Sequence, residues 1–451
     1  MSTRVVILGA AGRDFHDFQM FFRSSTHYRV WAFTAAQISF IHARTFPQTL
    51  AGPEYETDIP IFPEDQLPEL IRRFDIDFVF LAYSDLSQAD ILQKISLVQA
   101  CGAAFAALGP RQTQLRSSKP TITVTAVRTG AGKSPLTQYL AKFLKDKGWR
   151  VGVLRHPMPY GNLTRQLVER FATVDDLERF SCTVEEREEF EPYIEAGVIV
   201  YAGVDYCRLL EIAESQNDVL LWDGGNNDYP FVRPDLAFVI ADALRPGHEV
   251  AYYPGATNFR SADIVVINKV GHARPEDIRL IRDNAAKFNP RADVLESDLE
   301  IEADRPERLT KRRVLVVEDG PTLTHGGMAF GAGLLTAKKW GAAELVDPRR
   351  AAFGSIAEVY ERYPHLSAVL PALGYSPQQC RELEQTIHRS DAEIFVDASP
   401  ARLDRVLNLR TPVVRVCYRF RQIRGTPIES IVDRFLNAQS RANGSDQINI
   451  K

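Results

Sequence analysis

Short apolar runs alternating with amphipathic stretches recur along the whole chain, and that rhythm dictates an α/β fold. In the first part the runs cover residues 5–8, 30–34 and 78–83, with helical stretches at 14–23, 67–74 and 89–100 between or after them. Such strands, each followed by a helix, pair in parallel through right-handed crossovers. The pattern resumes with strands expected at 122–127, 151–154, 198–201, 219–222, 236–240 and 264–267, and helices at 135–147 and near 163–170. It returns with strands at 314–317, 368–370, 393–396 and 413–417. The expected organisation is a Rossmann-like N-terminal domain over 1–118, a P-loop nucleotide-binding domain with a parallel sheet over 119–312, and an α/β C-terminal region over 313–451. Periodicity leaves open whether the third part stands alone or extends the central sheet. The polar stretch 108–120, with Pro110 and Pro120 near its ends, reads as a linker.

The first run leads into Gly9-Ala10-Ala11-Gly12, a turn that lets backbone approach a ligand ahead of a helix. It lacks the full G-x-G-x-x-G, and the second run ends at Phe33-Thr34 without an acidic residue for a ribose, so no NAD site is expected. A plain tight turn and a site for another ligand both stay open.

The most informative loop is Val127-Arg128-Thr129-Gly130-Ala131-Gly132-Lys133-Ser134. A phosphate-binding loop reads G-x-x-x-x-G-K-[ST] between strand and helix; here Val127 stands in place of the first glycine. Gly130 and Gly132 free the backbone to turn N–H groups inward, and Pro135 suits a first helical turn. Thr129, Gly130, Ala131, Gly132, Lys133, Ser134 and Pro135 are therefore the expected ATP contacts, with Lys133 neutralising phosphate and the Ser134 hydroxyl holding Mg2+. Arg128 stands where the deviant Walker A loops of the SIMIBI class of P-loop proteins carry an extra lysine. It serves either as a cation for the γ-phosphate or in a surface ion pair.

A carboxylate at a strand end is needed for the metal's water shell. Asp223 ends a run and precedes Gly224-Gly225-Asn226-Asn227-Asp228, and Asp242 is a second candidate. Arg155-His156-Pro157-Met158-Pro159-Tyr160-Gly161 brings cationic and aromatic groups to another strand end. Asn268-Lys269-Val270-Gly271 resembles the N-K-x-D element of GTPases, with Gly271 in place of the guanine-reading aspartate, so ATP is favoured, with Asn268 and Lys269 expected to pack on the base and close the loop. The acidic run 185–189 reads as a solvated helix face without chemistry.

After the run 314–317 comes Glu318-Asp319-Gly320-Pro321-Thr322-Leu323-Thr324-His325-Gly326-Gly327-Met328, continuing to Gly333, where hydroxyls, a histidine and many backbone N–H groups could meet an anion. Together with residues 5–18, the loop ending in Lys133-Ser134 and the Arg155–Gly161 run, this stretch resembles the cyclic 2,3-diphosphoglycerate synthetase family, across all three parts of the chain. The resemblance implies an ATP-dependent ligase that closes 2,3-diphosphoglycerate to its cyclic anhydride, releasing ADP and phosphate. It implies catalytic roles for Lys133, Arg128, Asp223, His325, Arg155 and His156, metal binding by Ser134 and Asp223, and help from Lys338 and Lys339 in screening a small, phosphate-rich substrate. Residues 1–118 would act as a lid. A regulatory or metallochaperone-like P-loop NTPase and a small-molecule kinase are the alternative readings.

Basic and acidic residues nearly balance, 54 against 58, so no positive field draws in nucleic acid or an anionic membrane. The five cysteines show no metal-ligand spacing, which fits a reducing compartment. With a strand-like run starting at Arg4 and no apolar run of about 18 residues, a cytoplasmic location is expected. A homodimer is an open possibility.

Overall fold

Residues 3–107 build a six-stranded sheet in the computed structural model, which describes residues 2–10, 12–36, 44–156, 163–225, 228–324, 328–366, 368–373, 376–399 and 402–446. The strands here are β1 (Thr3–Leu8), β2 (Tyr28–Ala35), β3 (Thr45–Phe46), β4 (Ile59–Pro63), β5 (Phe78–Leu81), the short β6 (Leu86–Ser87) and β7 (Ala104–Ala107). All but β6 join in the order β3-β4-β2-β1-β5-β7, parallel except for β3 against β4. Val5, Val6, Ile7 and Leu8 are all buried, as a strand covered on both faces requires. The helix expected over 14–23 starts as an α-helix, Arg13–Asp17, and widens into a π-helical turn, Phe18–Phe22, closed by Arg23 N donating to Phe18 O at 2.8 Å. Phe18 and Phe22 both reach the aromatic cluster of Phe33, Phe46, Tyr55 and Phe80.

The remaining strands are β8 (Thr121–Ala126), β9 (Val151–Arg155), β10 (Glu169–Phe171), β11 (Ile199–Ala202), β12 (Val219–Asp223), β13 (Leu236–Asp242), β14 (Tyr252–Tyr253), β15 (Ile264–Asn268), β16 (Asp293–Ala303), β17 (Arg313–Glu318), β18 (Glu344–Leu345), β19 (Leu370–Pro371), β20 (Ile394–Ala398) and β21 (Val413–Arg424). One sheet runs β10-β11-β9-β12-β8-β13-β15-β16-β21-β20-β17-β18, with β19 beside β17. Its middle, β9 to β15, is wholly parallel, so β8, β12, β13 and β15 deliver their C-terminal ends to one edge. The long β16 pairs antiparallel with β21 from Glu296 to Ala303, which carries the sheet on into the third part of the chain. No helix among the described residues is long and apolar enough to cross a membrane.

Three expectations are corrected. Residues 163–170 do not form a helix: Val204 and Asp205 donate to Gln166 O and Leu167 O, and β10 pairs along β11, with Glu169 and Phe171 buried and Arg170 half-buried between them, the period of two of a strand. The acidic run lies in the helix Val184–Glu195 but is no solvated face, since Glu186 and Glu188 are buried and Glu189 pairs with Arg155. The stretch 108–120 is pinned down: Leu115 N donates to Phe231 O, Leu115 O accepts from Arg233 N, and Ser118 donates through N and Oγ to the Glu214 carboxylate. Next to it β6 and β14 pair antiparallel, stitching the first part of the chain to the second.

Candidate active site

The nucleotide loop begins where β8 ends, with Val127 N donating to Ile240 O at 2.9 Å. Three consecutive carbonyls of the loop are turned away from its interior and held. Thr129 O accepts from Arg245 Nη2 at 2.7 Å, Gly130 O from Lys269 Nζ at 2.7 Å and Ala131 O from Asn268 Nδ2 at 2.8 Å. Across a trans peptide the next N–H points opposite to the carbonyl, so this clamp turns the Gly130 and Gly132 N–H groups to the concave side, as in an anion nest, while Ala131 N closes a turn on Arg128 O at 3.2 Å. Gly132 has a φ of 105°, and a Cβ there would collide with the clamping Asn268 amide, so the position accepts only glycine. The helix Lys133–Asp146 starts immediately after, with Ser134 and Pro135 in its first turn.

Asp242 anchors the clamp, pairing with Arg245 at 2.8 Å and with Lys269 at 2.9 Å. The same pairings place Asn268 and Lys269 against the loop carbonyls, as loop-closing residues. Ser297 Oγ donates to Asn268 Oδ1 and fixes its amide orientation. A Cβ on Gly271 would collide with the Asp298 carboxylate of β16, so a carboxylate does lie against the position where the N-K-x-D aspartate is missing.

Asp223, at the end of β12, has no solvent exposure. Its carboxylate binds the Lys133 ammonium, accepts from Arg155 Nη1 at 2.5 Å and accepts from the Tyr193 hydroxyl at 2.6 Å. Burial alone would raise this carboxyl, yet Arg155 and Lys133 hold it below the ordinary aspartate range. Burial also lowers the Lys133 ammonium, with Asp223 opposing. Arg155, only 1% exposed, is shared between Asp223 and Glu189. His156 beside it is buried, and burial lowers its pKa, so the ring is neutral at pH 7. Lys133, Arg155, His156 and Asp223 thus meet in one cluster whose charges balance through Glu189. Arg128 is elsewhere engaged: it pairs with Asp85 at 2.6 Å, lies 2.9 Å from His248 Nδ1 and stacks over Tyr252 at 3.8 Å. Of its two sequence readings, the ion pair is the one formed.

In the third part, His325, Gly326 and Gly327 lie outside the described residues, as do residues 157–162 after His156. The backbone N–H groups that flank this loop do converge on an anion, but it is the protein's own. Gly331, Gly333 and Leu334 donate to the Glu318 carboxylate at 3.0, 3.2 and 2.8 Å. Burial nevertheless pushes that carboxyl up to about 7, against the pull of these bonds. Lys338 and Lys339 are exposed in the last turn of the helix Ala332–Lys339, at the opposite end from the loop.

Over 432 residues the chain is 52% identical to the arginine synthetase ArcE of Thermococcus kodakarensis, a match covering 96% of each protein. The chain belongs to the ArcE family. No family model matches it. A shorter stretch, 75 residues or 16% of this chain, is 33% identical to 38% of a probable thymidylate kinase of Archaeoglobus fulgidus. Among solved structures, LpxK of Aquifex aeolicus in complex with ATP aligns with 82% of this chain and 99% of its own length, at 13% identity and a TM-score of 0.44.

Several residues of this ArcE-family site escape sequence inspection. Tyr193 and Glu189 sit on one helix, and only the i, i+4 spacing of two polar groups aimed at one strand end hints at them. Arg245 follows Asp242 at i+3, a usable signal, whereas Asp298 is brought to Gly271 by tertiary folding alone.

Proposed function

We propose that this chain is an ATP-dependent synthetase that makes arginine from its ureido counterpart, L-citrulline, and ammonia. The observation that carries the reading is the 52% identity, over nearly the whole of both chains, with a protein named arginine synthetase. The chemistry agrees with a phosphate-activating site. A ureido oxygen is a poor leaving group; transfer of the ATP γ-phosphoryl group to it yields an O-phosphoryl isourea and ADP. Ammonia then attacks the central carbon and phosphate departs, leaving the guanidinium of arginine.

The clamped loop would hold the triphosphate, with Lys133 leaving Asp223 for the phosphate oxygens as the nucleotide arrives. Ser134 and Asp223 are oxygen donors of the kind Mg2+ takes, and among the described residues no cluster of three or more His, Cys, Asp or Glu competes for a different metal. Bound there, Mg2+ would neutralise charge on the transferring phosphoryl group. Neutral His156 can accept a proton from the incoming ammonia. Residues 1–118, tied to the loop through Asp85 and Arg128 and through β6 and β14, would exclude water from the phosphorylated intermediate as a lid.

Closure of 2,3-diphosphoglycerate would use the same nucleotide half. It calls for uncommitted cations, whereas Arg155 is neutralised by Asp223 and Glu189, and Lys338 and Lys339 lie at the far end of their helix. The test is phosphate release from Mg-ATP with each candidate substrate. Citrulline plus ammonium should stimulate release with one arginine per ADP. Stimulation by 2,3-diphosphoglycerate instead, turnover without any organic product, or a phosphorylated end product would each replace this reading by the corresponding alternative.

A further inference from the structure

Ahead of the nucleotide loop, where the first part of the chain meets the second, lies a buried polar cluster that the nucleotide half does not use. Arg13 is 4% exposed, although it is charged and stands one residue after the Gly9–Gly12 turn. Its guanidinium lies over the Tyr229 ring at 4.3 Å and the Tyr253 ring at 5.6 Å. It donates through Nη2 to the Tyr253 hydroxyl at 3.2 Å and approaches Asp17 through Nε at 3.6 Å. Its other terminal nitrogen, Nη1, is buried without a hydrogen-bond partner. Opposite in charge, Asp228 is also 4% exposed, and its Oδ1 is likewise buried and unpartnered.

Arg13 keeps Tyr253 and Asp17, and the Asp228 carboxylate keeps a hydrogen bond from Ser84, yet the one orphaned atom on each is costly, because a buried polar atom left unpaired forfeits its hydration. They are fixed in place, not adrift. Asp228 N donates to Gly225 O and Asn258 Nδ2 donates to Asp228 O, while two tyrosine rings set at 90° to each other wall in Arg13. The charge inventory also fails to close. Asp17 and Asp228, both buried, face the single guanidinium of Arg13, and the charge of buried Asp14 adds to theirs at Asp228. Burial pushes Asp17 up to about 7 and Asp228 to about 8 despite Arg13, so one further cation would relieve the site.

The cluster also sits beside the chemistry. Asp228 follows Asp223 in the same loop, and a Cβ on Gly255, two residues after Tyr253, would collide with Val127 O at the base of the nucleotide loop. Tyr252, next to Tyr253, is the ring under Arg128.

We propose that this cluster is the receptor for the α-amino-acid end of the second substrate, Arg13 Nη1 binding the α-carboxylate and Asp228 Oδ1, with Asp17 nearby, binding the α-ammonium. A zwitterion satisfies both orphans at once, and the tyrosine rings flank the pair. The first part of the chain is then half of the substrate site as well as its cover. The identity of the amino acid as arginine or citrulline rests on the function proposed above; the receptor for an α-amino acid does not.

The test is calorimetric binding to the full chain with Mg-ADP present, using L-arginine, agmatine, which lacks the carboxylate, and argininic acid, which has a hydroxyl in place of the ammonium. Wild type should bind agmatine and argininic acid at least tenfold more weakly than arginine. Arg13→Lys should lose at least tenfold for arginine and less than threefold for agmatine, and Asp228→Asn should erase the preference for arginine over argininic acid, with ADP affinity unchanged in both. Equal wild-type affinity for arginine and agmatine overturns the receptor, whether or not the variants fold. Variants that bind arginine like wild type overturn it too, and leave the synthetase reading standing. If wild type ignores arginine but binds another L-α-amino acid with the same dependence on Arg13 and Asp228, the receptor stands and the arginine reading falls. Binding of no α-amino acid overturns the receptor.

Discussion

The Asp223→Asn substitution separates the charge lock from the nucleotide grip. In the cluster Lys133 and Arg155 supply two positive charges, and Asp223 and Glu189 two negative ones. Asp223 is fully buried, so asparagine leaves two cations against one anion, with its amide nitrogen facing further donors. Breaking a buried pair from one side costs about 3–5 kcal/mol, and the retained side-chain oxygen places the expected loss near the lower end. Urea unfolding followed by fluorescence of Trp222, which precedes Asp223, should show this as a lower midpoint. The same change frees Lys133 for phosphate. A hydrogen bond to a charged group is worth about 1.5–3 kcal/mol, so ADP binding without Mg2+ should hold steady or tighten by about tenfold. Mg-ATP turnover should fall by about a hundredfold or more as the metal carboxylate is lost. An unchanged urea midpoint, or metal-free ADP binding that falls together with turnover, would refute the assignment of Asp223 as the partner that Lys133 gives up.

Gly132→Ala forces a side chain into a backbone with φ 105° and against the Asn268 amide, for a loss of about 1–3 kcal/mol and an open clamp; the rise in melting temperature that Mg-ATP gives wild type should vanish. Gly271→Asp restores the letters of N-K-x-D but collides with the Asp298 carboxylate, so it should destabilise the chain and give no preference for GTP over ATP in competitive nucleotide binding. Glu318 is a carboxyl raised from 4.5 to about 7, so its contribution to stability is fully present below pH 4.5 and is lost as pH rises through about 7. That gap corresponds to about 3 kcal/mol. Glu318→Gln should flatten this fall in the unfolding free energy between pH 5 and 8, and a variant with the wild-type pH slope would contradict the shift.

The alternation of strands and helices made the α/β class legible, and β8, the loop and the helix after it were placed within two residues because glycine, lysine and a following amphipathic helix leave little choice there. Asp223 was legible as the polar end of an apolar run. What decided its chemistry was not, since Arg155, Tyr193 and Glu189 reach it from separate elements. The acidic helix defies the sequence pattern because charge runs are ordinarily solvated, and only burial against β9 and β11 shows otherwise. The glycines after β17 correctly suggested converging N–H groups, but nothing in the sequence says that Glu318, one strand position earlier, takes them. Arg13 and Asp228 lie 215 residues apart in the numbering and meet only through the junction of the two sheets.

The central claim is that ATP activates a ureido oxygen for displacement by ammonia. Its most direct test is turnover of L-citrulline labelled with 18O in the ureido group, with Mg-ATP and ammonium, followed by 31P NMR of the released phosphate. One 18O per inorganic phosphate is expected, seen as an upfield isotope shift, with an equal amount of arginine. Unlabelled phosphate, or ATP consumed with no arginine formed, would contradict it.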